Sequence, residues 1–141
     1  MKAVLRQKID TILTRANLRK TRPRMAVLTV LLEEGKPVTV QRIITRLGWH
    51  SPDKVTIYRI LESLVERGMV HKAFLRNKTW HFEPAADCTS NQCHPHFTCV
   101  SCGTTHCLRQ LRPPLVKSPH RKFVIHRQRV QLEGLCPACA R

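Results

Sequence analysis

Cys99-Val100-Ser101-Cys102 and Cys136-Pro137-Ala138-Cys139 are two C-x-x-C pairs separated by 33 residues. A two-residue gap lets both sulfurs of a tight turn point at one centre, and two such turns close a tetrahedral all-sulfur shell around Zn2+. Gly103 after the first pair and Pro137 inside the second suit knuckle turns. One pair alone could be a redox dithiol, but two of them in a chain of 141 residues point to metal. A filled four-sulfur shell leaves no position for substrate water, so this metal is expected to be structural rather than catalytic. The competing reading is a secreted domain with two disulfides. Seven cysteines is an odd number, and the opening MKAVLRQKIDTIL has no apolar run long enough for a signal peptide. A reducing cytoplasm is therefore the expected location.

Outward from the knuckles, the cysteines divide the chain. Residues 1–84 hold none and all seven lie in the last 54 residues, which predicts two units. A C-terminal unit of about 50 residues has too little core to stand without a staple such as zinc. No stretch approaches the roughly 20 apolar residues of a membrane span, so no membrane role is expected.

Charge gives the second strong signal. Lys and Arg number 25 against 9 Asp and Glu, a net of +16. Residues 1–84 carry 17 against 7 and the remainder 8 against 2, a net of +10 and +6. Four zinc-bound thiolates would lower the total by only two. Such a surface attracts polyanions, and nucleic acid fits better than an anionic membrane because no basic helix has a broad apolar face. Net charge alone is also compatible with a merely soluble basic protein.

The first 84 residues read as helices followed by a hairpin. Val4, Ile9, Ile12, Leu13 and Ala16 recur at helical spacing. Thr21 can cap a helix that starts near Pro23 and ends at Gly35, and Thr39 a shorter one that ends at Gly48. Ser51-Pro52-Asp53 reads as a cap, a first-turn proline and an acid, opening a helix over 52–67 that stops at Gly68. Residues 69–75, a polar turn at Arg76-Asn77-Lys78, and residues 79–83 read as a β-hairpin. Three helices followed by a two-stranded hairpin make a winged helix. Residues 85–95 read as a linker, and residues 96–100 and 122–132 as strands of the zinc-stapled unit.

On the 52–67 helix, Ile57, Ile60, Leu61 and Leu64 share one face and form the core side. Val55, Tyr58 and Arg59 fall on the other side or its flank, near the helix N-terminus. There Val55 and Tyr58 could touch thymine methyl groups, and Arg59 could contact guanine or phosphate. The same pattern also suits a solvated face with one stray apolar residue. The basic run Arg19–Arg24 and Lys54 favour DNA, because both can hold phosphates.

Taken together these residues resemble the ferric uptake regulator (Fur) family of metal-responsive repressors, over nearly the whole chain. Residues 18–28, LRKTRPRMAVL, resemble its lead-in to the second helix. Val55-Thr56-Ile57-Tyr58-Arg59-Ile60-Leu61 resembles its recognition helix. His94-Pro95-His96-Phe97-Thr98-Cys99 resembles its histidine-rich segment running into the first knuckle. The resemblance implies an α+β fold: a winged-helix DNA-binding domain over 1–84, a hinge over 85–95, and a small α/β dimerisation domain over 96–141. That second domain is stapled by zinc on Cys99, Cys102, Cys136 and Cys139.

It further implies a metal-dependent repressor of metal-uptake genes, acting as a homodimer on inverted-repeat double-stranded DNA, with no small-molecule substrate. Implied DNA contacts fall on Arg22, Arg24, Lys54, Val55, Thr56, Tyr58 and Arg59. A regulatory metal site at the domain junction maps onto Glu83, His94 and His96. His71 matches the ligand placement of the family's zinc-uptake branch (Zur), while Lys36 and Pro37 stand where its iron regulators carry a histidine. Cys88 and Cys93 are further soft donors, so Zn2+ is expected over Fe2+ as the sensed ion. The alternatives are iron or peroxide sensing, with Cys93 or Cys107 as reactive thiols, or a zinc-stapled DNA-binding module that senses nothing. An enzyme is disfavoured, since the cysteines and histidines lack a nucleophile turn or partner acid at a recognisable spacing. The sequence departs from the family where Pro113-Pro114 interrupts a dimer-domain helix.

Overall fold

The computed structural model describes residues 2–86, 88, 92–117 and 122–141. The chain divides into two compact units, Met1–Ala86 and Asp87–Arg141.

The first unit holds helices α1 (Lys2–Arg15), α2 (Arg22–Glu34), α3 (Val40–Leu47) and α4 (Lys54–Glu66), then strands β1 (Val70–Arg76) and β2 (Thr79–Pro84). Local chemistry sets the helix ends. Thr21 accepts from the Arg24 amide at 3.4 Å and Thr39 from the Arg42 amide at 3.1 Å, each supplying an acceptor to an N–H left over at the helix start. Gly35 closes α2 at φ +63°, a left-handed conformation that glycine adopts without a Cβ clash.

One boundary differs from the expected one. Helix α4 opens at Lys54, not Pro52, and Asp53 rather than Ser51 is its cap. The Asp53 carboxylate takes both the amide of Thr56 at 2.9 Å and its hydroxyl at 2.5 Å. Ser51 is extended as a cap would be, but its hydroxyl donates to Pro52 O at 2.9 Å and serves no helix amide.

The helices meet in one apolar core that includes Leu13 of α1, Val27, Leu28 and Leu31 of α2, Ile43 of α3, and Ile57, Leu61 and Leu64 of α4. Truncating one such leucine to alanine destabilises by about 2–5 kcal/mol. The hairpin joins this core through Val70 and Phe82. Phe82 also exchanges two 2.8 Å backbone hydrogen bonds with Val38, so a residue between α2 and α3 docks on the wing. At the hairpin tip Asn77 (φ +49°) and Lys78 (φ +61°) form a two-residue turn whose twist matches the strands. These parts make a winged helix.

The second unit is a three-stranded sheet of order β4-β3-β5. Strand β3 (His96–Cys99) pairs antiparallel with β4 (Thr105–Cys107) and parallel with β5 (Gln131–Gly134). The α+β class holds for the chain, but among the described residues this unit has no helix. The segment expected to be interrupted at Pro113-Pro114 holds one turn, closed by Leu111 N–H to Leu108 O at 3.1 Å, and residues 111–117 form neither helix nor strand. Pro113 restricts Arg112 to extended backbone, and neither proline has an N–H to continue a helix.

The strand expected over 122–132 shrinks to β5. Extending it backward would place it against Pro95, which has no N–H for the ladder. The segment is tied instead by glutamines. Gln128 donates to the Gln92 side chain at 2.5 Å and to Pro114 O at 3.0 Å, while Gln92 donates to Pro113 O at 2.6 Å. Linker residues 87 and 89–91 lie outside the described residues. Among the described residues no helix is long and apolar enough to cross a membrane.

Candidate metal centres and nucleic-acid face

Hydrogen bonds of the turns bring the four knuckle cysteines together. Gly103 N–H donates to Cys99 O at 2.9 Å, with Gly103 at φ +73°, and Cys139 N–H donates to Cys136 O at 2.9 Å. Parallel pairing of β3 with β5, continued by Val100 N–H to Gly134 O at 2.9 Å, carries the second knuckle to the first. Each cysteine then offers a sulfur within 4.8 Å of the other three. A tetrahedral shell with Zn–S bonds of about 2.3 Å requires sulfurs about 3.8 Å apart. The Cys102 and Cys136 sulfurs are 3.9 Å apart, so the residues fit the ion.

The electrostatics suit thiolate formation at one end of the cluster. Backbone N–H groups of Cys102 and then Cys136 hold the Cys99 thiol down to about 6, and the Thr104 hydroxyl and amide lower Cys102. Hydrogen bonding to Cys136 raises Cys139 to about 11.

Cys88 and Cys93 are paired as a disulfide, whereas the four knuckle cysteines are not. This disulfide was not foreseen from the sequence. Next to it, the His94 Nδ1 lies 3.2 Å from the Cys93 sulfur.

His94 and His96 are both buried, and their ring centres lie 4.7 Å apart. Cys107 joins them: one ligand atom from each of the three lies within 4.8 Å of the others. Sequence reasoning gave Cys107 no place in a metal site. The signal was available by counting outward from the first knuckle. Cys99 N–H bonds Thr104 O at 3.0 Å, so β3 and β4 form a hairpin about the turn and His96 must face Cys107.

In the first unit, the structure brings Glu83 and His71 together on the wing. They are directly opposed in the β1–β2 register, and His71 Nε2 lies 2.7 Å from Glu83 Oε1. Both side chains are buried, with Glu83 at 0% exposure.

Helix α4 buries Ile57, Ile60, Leu61 and Leu64, which leaves Val55 60% and Tyr58 38% exposed beside the exposed Lys54 and Arg59. Thr56 is half-buried and its hydroxyl is committed to Asp53. Arg22 is exposed at the start of α2, while half-buried Arg24 donates to Arg19 O at 3.0 Å and thereby folds the basic connector onto the helix start. On the wing, Lys72 Nζ lies 5.4 Å from the centre of the Trp80 ring, a cation–π contact that steadies a basic strand.

Residues 15–128 match the Ferric uptake regulator family. The transcriptional regulator FurA of Mycobacterium tuberculosis is 30% identical over 130 residues, covering 89% of this chain and 85% of FurA. Among solved structures, a zinc uptake regulator complexed with zinc and DNA superimposes with a TM-score of 0.67 at 21% identity, over 99% of this chain and 94% of that one. The ferric uptake regulator of Helicobacter pylori, described as having three functional metal-binding sites, gives a TM-score of 0.61 at 16% identity, over 100% and 95%. At these identities the structures speak for the fold, and the sequence match speaks for the family. The chain belongs to the Ferric uptake regulator family of metal-responsive, DNA-binding transcription regulators, which are not enzymes.

Proposed function

We propose that this protein is a zinc-responsive repressor of metal-uptake genes. Its knuckle cysteines hold a structural Zn2+, and a second, exchangeable Zn2+ is held by Glu83, His94 and His96, with His71 or Cys107 as the fourth ligand. The observation that carries the choice of metal is Cys107 beside His94 and His96. Two imidazoles, joined by a thiolate where Cys107 is the fourth ligand, make a soft donor set that favours Zn2+ over divalent ions that prefer oxygen-rich sites. Cys88 and Cys93, expected as further soft donors, are paired in a disulfide and take no part in this choice.

In this reading the protein acts in the cytoplasm as a homodimer on an inverted repeat, one α4 per half-site. The first unit's net charge of +10 over residues 1–84 and the exposed Val55, Tyr58 and Arg59 support DNA as the partner. The domains are DNA-binding over 1–84, hinge over 85–95 and dimerisation over 96–141. Metal bound by groups from both domains would fix the angle of the hinge, and the coupling equals the difference in metal affinity between competent and incompetent forms, typically about 1–3 kcal/mol.

The test is metal content and DNA affinity measured together. Protein purified without added metal is expected to keep about one zinc per chain after mild chelation and to bind duplex DNA about 5–150-fold tighter when a second zinc is restored. A response to Fe2+ but not Zn2+ reassigns the sensed ion, and no response to either leaves a zinc-stapled DNA-binding protein. A redox-responsive reading has one observation in its favour, the Cys88–Cys93 disulfide. It requires that DNA affinity change with reductant at constant zinc.

A further inference from the structure

The first unit spends its apolar side chains on its core with few exceptions. Among its described residues only Val4, Trp49, Val55, Tyr58 and Leu75 are large apolar groups left exposed. Three of these five lie within ten residues, at the turn before α4 and on its first turns. Trp49 is the extreme case, with its whole side chain in solvent. It contributes nothing to the core, and exposing so large an apolar ring is unfavourable unless something else covers it.

Its backbone is nevertheless held. Trp49 is the middle residue of a 3-10 turn over Gly48–His50, closed by Ser51 N–H to Gly48 O at 3.0 Å. Gly48 adopts φ +56° with ψ −130°, a combination essentially restricted to glycine. The indole is thus presented from a fixed turn directly before the helix whose start bears Lys54, Val55, Tyr58 and Arg59.

The charge around it selects the partner. From residue 48 to 61 the only acid is Asp53, and its carboxylate is turned onto the amide and hydroxyl of Thr56. Lys54 and Arg59, on the first turns of α4, add exposed cationic groups. In a helix-turn-helix the turn ahead of the recognition helix borders the major groove and faces the sugar–phosphate backbone. An indole has an apolar face that can lie on deoxyribose and one N–H that can donate to a phosphate oxygen, with no acceptor to repel the anion.

We infer that Trp49 is a DNA-contacting anchor, its ring packed on the duplex backbone at the edge of the groove that α4 enters. This inference rests on the DNA-binding reading above and extends it to a residue outside the recognition helix. A backbone anchor sets register and orientation without reading sequence. Trp49→Ala is therefore expected to weaken binding by about 10-fold, the cost of truncating one well-packed aromatic contact. The loss should be similar on preferred and scrambled duplexes. Trp49→Phe should recover part of it, since the ring face remains and only the N–H is gone.

The chain has two tryptophans, Trp49 and Trp80, which makes a direct readout available. In full-length Trp80→Phe, Trp49 is the sole indole emitter, and in Trp49→Phe, Trp80 is. The probe is a duplex of about 30 base pairs selected by the wild-type protein from a randomised pool, long enough for two half-sites. Addition of this duplex should quench and blue-shift the Trp49 emission and leave the Trp80 emission nearly unchanged. The companion measurement is duplex affinity by anisotropy for wild type, Trp49→Ala and Trp49→Phe.

An unmoved Trp49 emission on a bound duplex overturns the inference, whether or not Trp49→Ala weakens binding. So does emission already blue-shifted in DNA-free protein in a concentration-dependent way, which would assign the ring to a contact between copies. If wild-type protein selects no duplex at all, the DNA-binding reading itself has failed, and the two failures are told apart by that first step.

Discussion

His71 Nε2 lies 2.7 Å from Glu83 Oε1 across the wing hairpin, with both side chains buried. This pairing gives His71 two ways to serve a metal site. It can bind the ion itself, or it can orient the carboxylate that does, as partners of metal ligands commonly do. Removing the imidazole by His71→Ala withdraws a hydrogen bond from a buried carboxylate and is expected to lower unfolding stability by about 1–3 kcal/mol in denaturant titration. His71→Gln should recover much of that loss, because an amide N–H can donate to the same oxygen. Against Cys107→Ser the comparison assigns the fourth ligand. If zinc-dependent DNA binding survives His71→Gln and is lost in Cys107→Ser, the thiol is the ligand and His71 positions Glu83.

The four-cysteine cluster should be required for folding of the second unit. Zinc in such a shell supplies on the order of 10 kcal/mol of apparent free energy in small domains. The described part of this unit has a sheet of three short strands and no helix to replace it. Cys99→Ser or Cys136→Ser is expected to give a zinc-poor protein that aggregates or fails to dimerise. A variant with wild-type zinc content, thermal stability and dimerisation would refute the structural role.

Zinc loading of that cluster should strengthen with pH in a definite window. The Cys99 thiol, held down to about 6 by backbone N–H groups, sits below the usual value near 9. Its thiolate contribution to the folded state is fully present above the unfolded thiol value and is lost as pH falls toward 6. Cys139, raised to about 11, remains protonated at neutral pH and must lose its proton to ligate. Zinc competition against a chelator, corrected for the chelator's own protonation, should therefore favour the protein increasingly from pH 6 to 8, by about tenfold per unit for each proton released. A flat profile would mean that no proton leaves on binding over this range, and that Cys139 is not held protonated in the zinc-free protein.

Much of this molecule could be read from residue order, and the failures have physical causes. Thr21, Gly35, Thr39 and Gly48 mark helix ends by side-chain and backbone chemistry that acts within four residues, and the structure uses all four. The apolar stripe Ile57, Ile60, Leu61 and Leu64 is likewise a local periodicity that the core then buries. In Ser51-Pro52-Asp53 the residue read as an acid of the first turn is the cap, because its carboxylate satisfies two donors of Thr56 at once. The His71–Glu83 pair depends on hairpin register with a bulge between Lys72 and Phe74, which shifts the count by one and is invisible in composition. Cys107 was legible only after the knuckle had been recognised as a hairpin turn, and the glutamine ties to Pro113 and Pro114 span distances along the chain that no local pattern encodes.

DNA binding should be steep in salt and sensitive to the exposed side of α4. Each phosphate neutralised by Lys or Arg adds about −0.9 to the slope of log affinity against log salt. Several basic contacts in each of two protomers thus predict a loss of about 10³-fold or more between 50 and 200 mM salt. Tyr58→Ala and Arg59→Ala should each weaken the preferred duplex by about 1–3 kcal/mol and relax base preference at one position of each half-site. Thr56→Ala should act differently: it removes a hydroxyl bonded to Asp53, so its expected loss appears in helix stability as well as affinity. Wild-type affinity and selectivity in both Tyr58→Ala and Arg59→Ala would remove α4 from the interface.

Sensing should be separable from folding. His94 lies two residues before β3 and His96 is its first residue, and the four knuckle sulfurs begin only at Cys99. Replacing both imidazoles with Ala leaves the four-sulfur shell and the β3 ladder partners in place, since those bonds run through the backbone and the cysteines. The double variant is therefore expected to retain about one chelation-resistant zinc per chain, to remain dimeric, and to keep a salt-dependent basal affinity for DNA. What it should lose is the tightening on adding zinc, a factor of about 5–150 if the coupling has the usual size. Single variants place the loss more finely: a ligand contributing to the closed form alone should reduce the tightening, while one binding equally in both forms should shift only the zinc concentration at which tightening occurs. Operator affinity with and without saturating Zn2+ decides the matter. An undiminished response in the double variant would move the sensor away from His94 and His96, and loss of the chelation-resistant zinc in the same protein would show that the two metal sites are not independent.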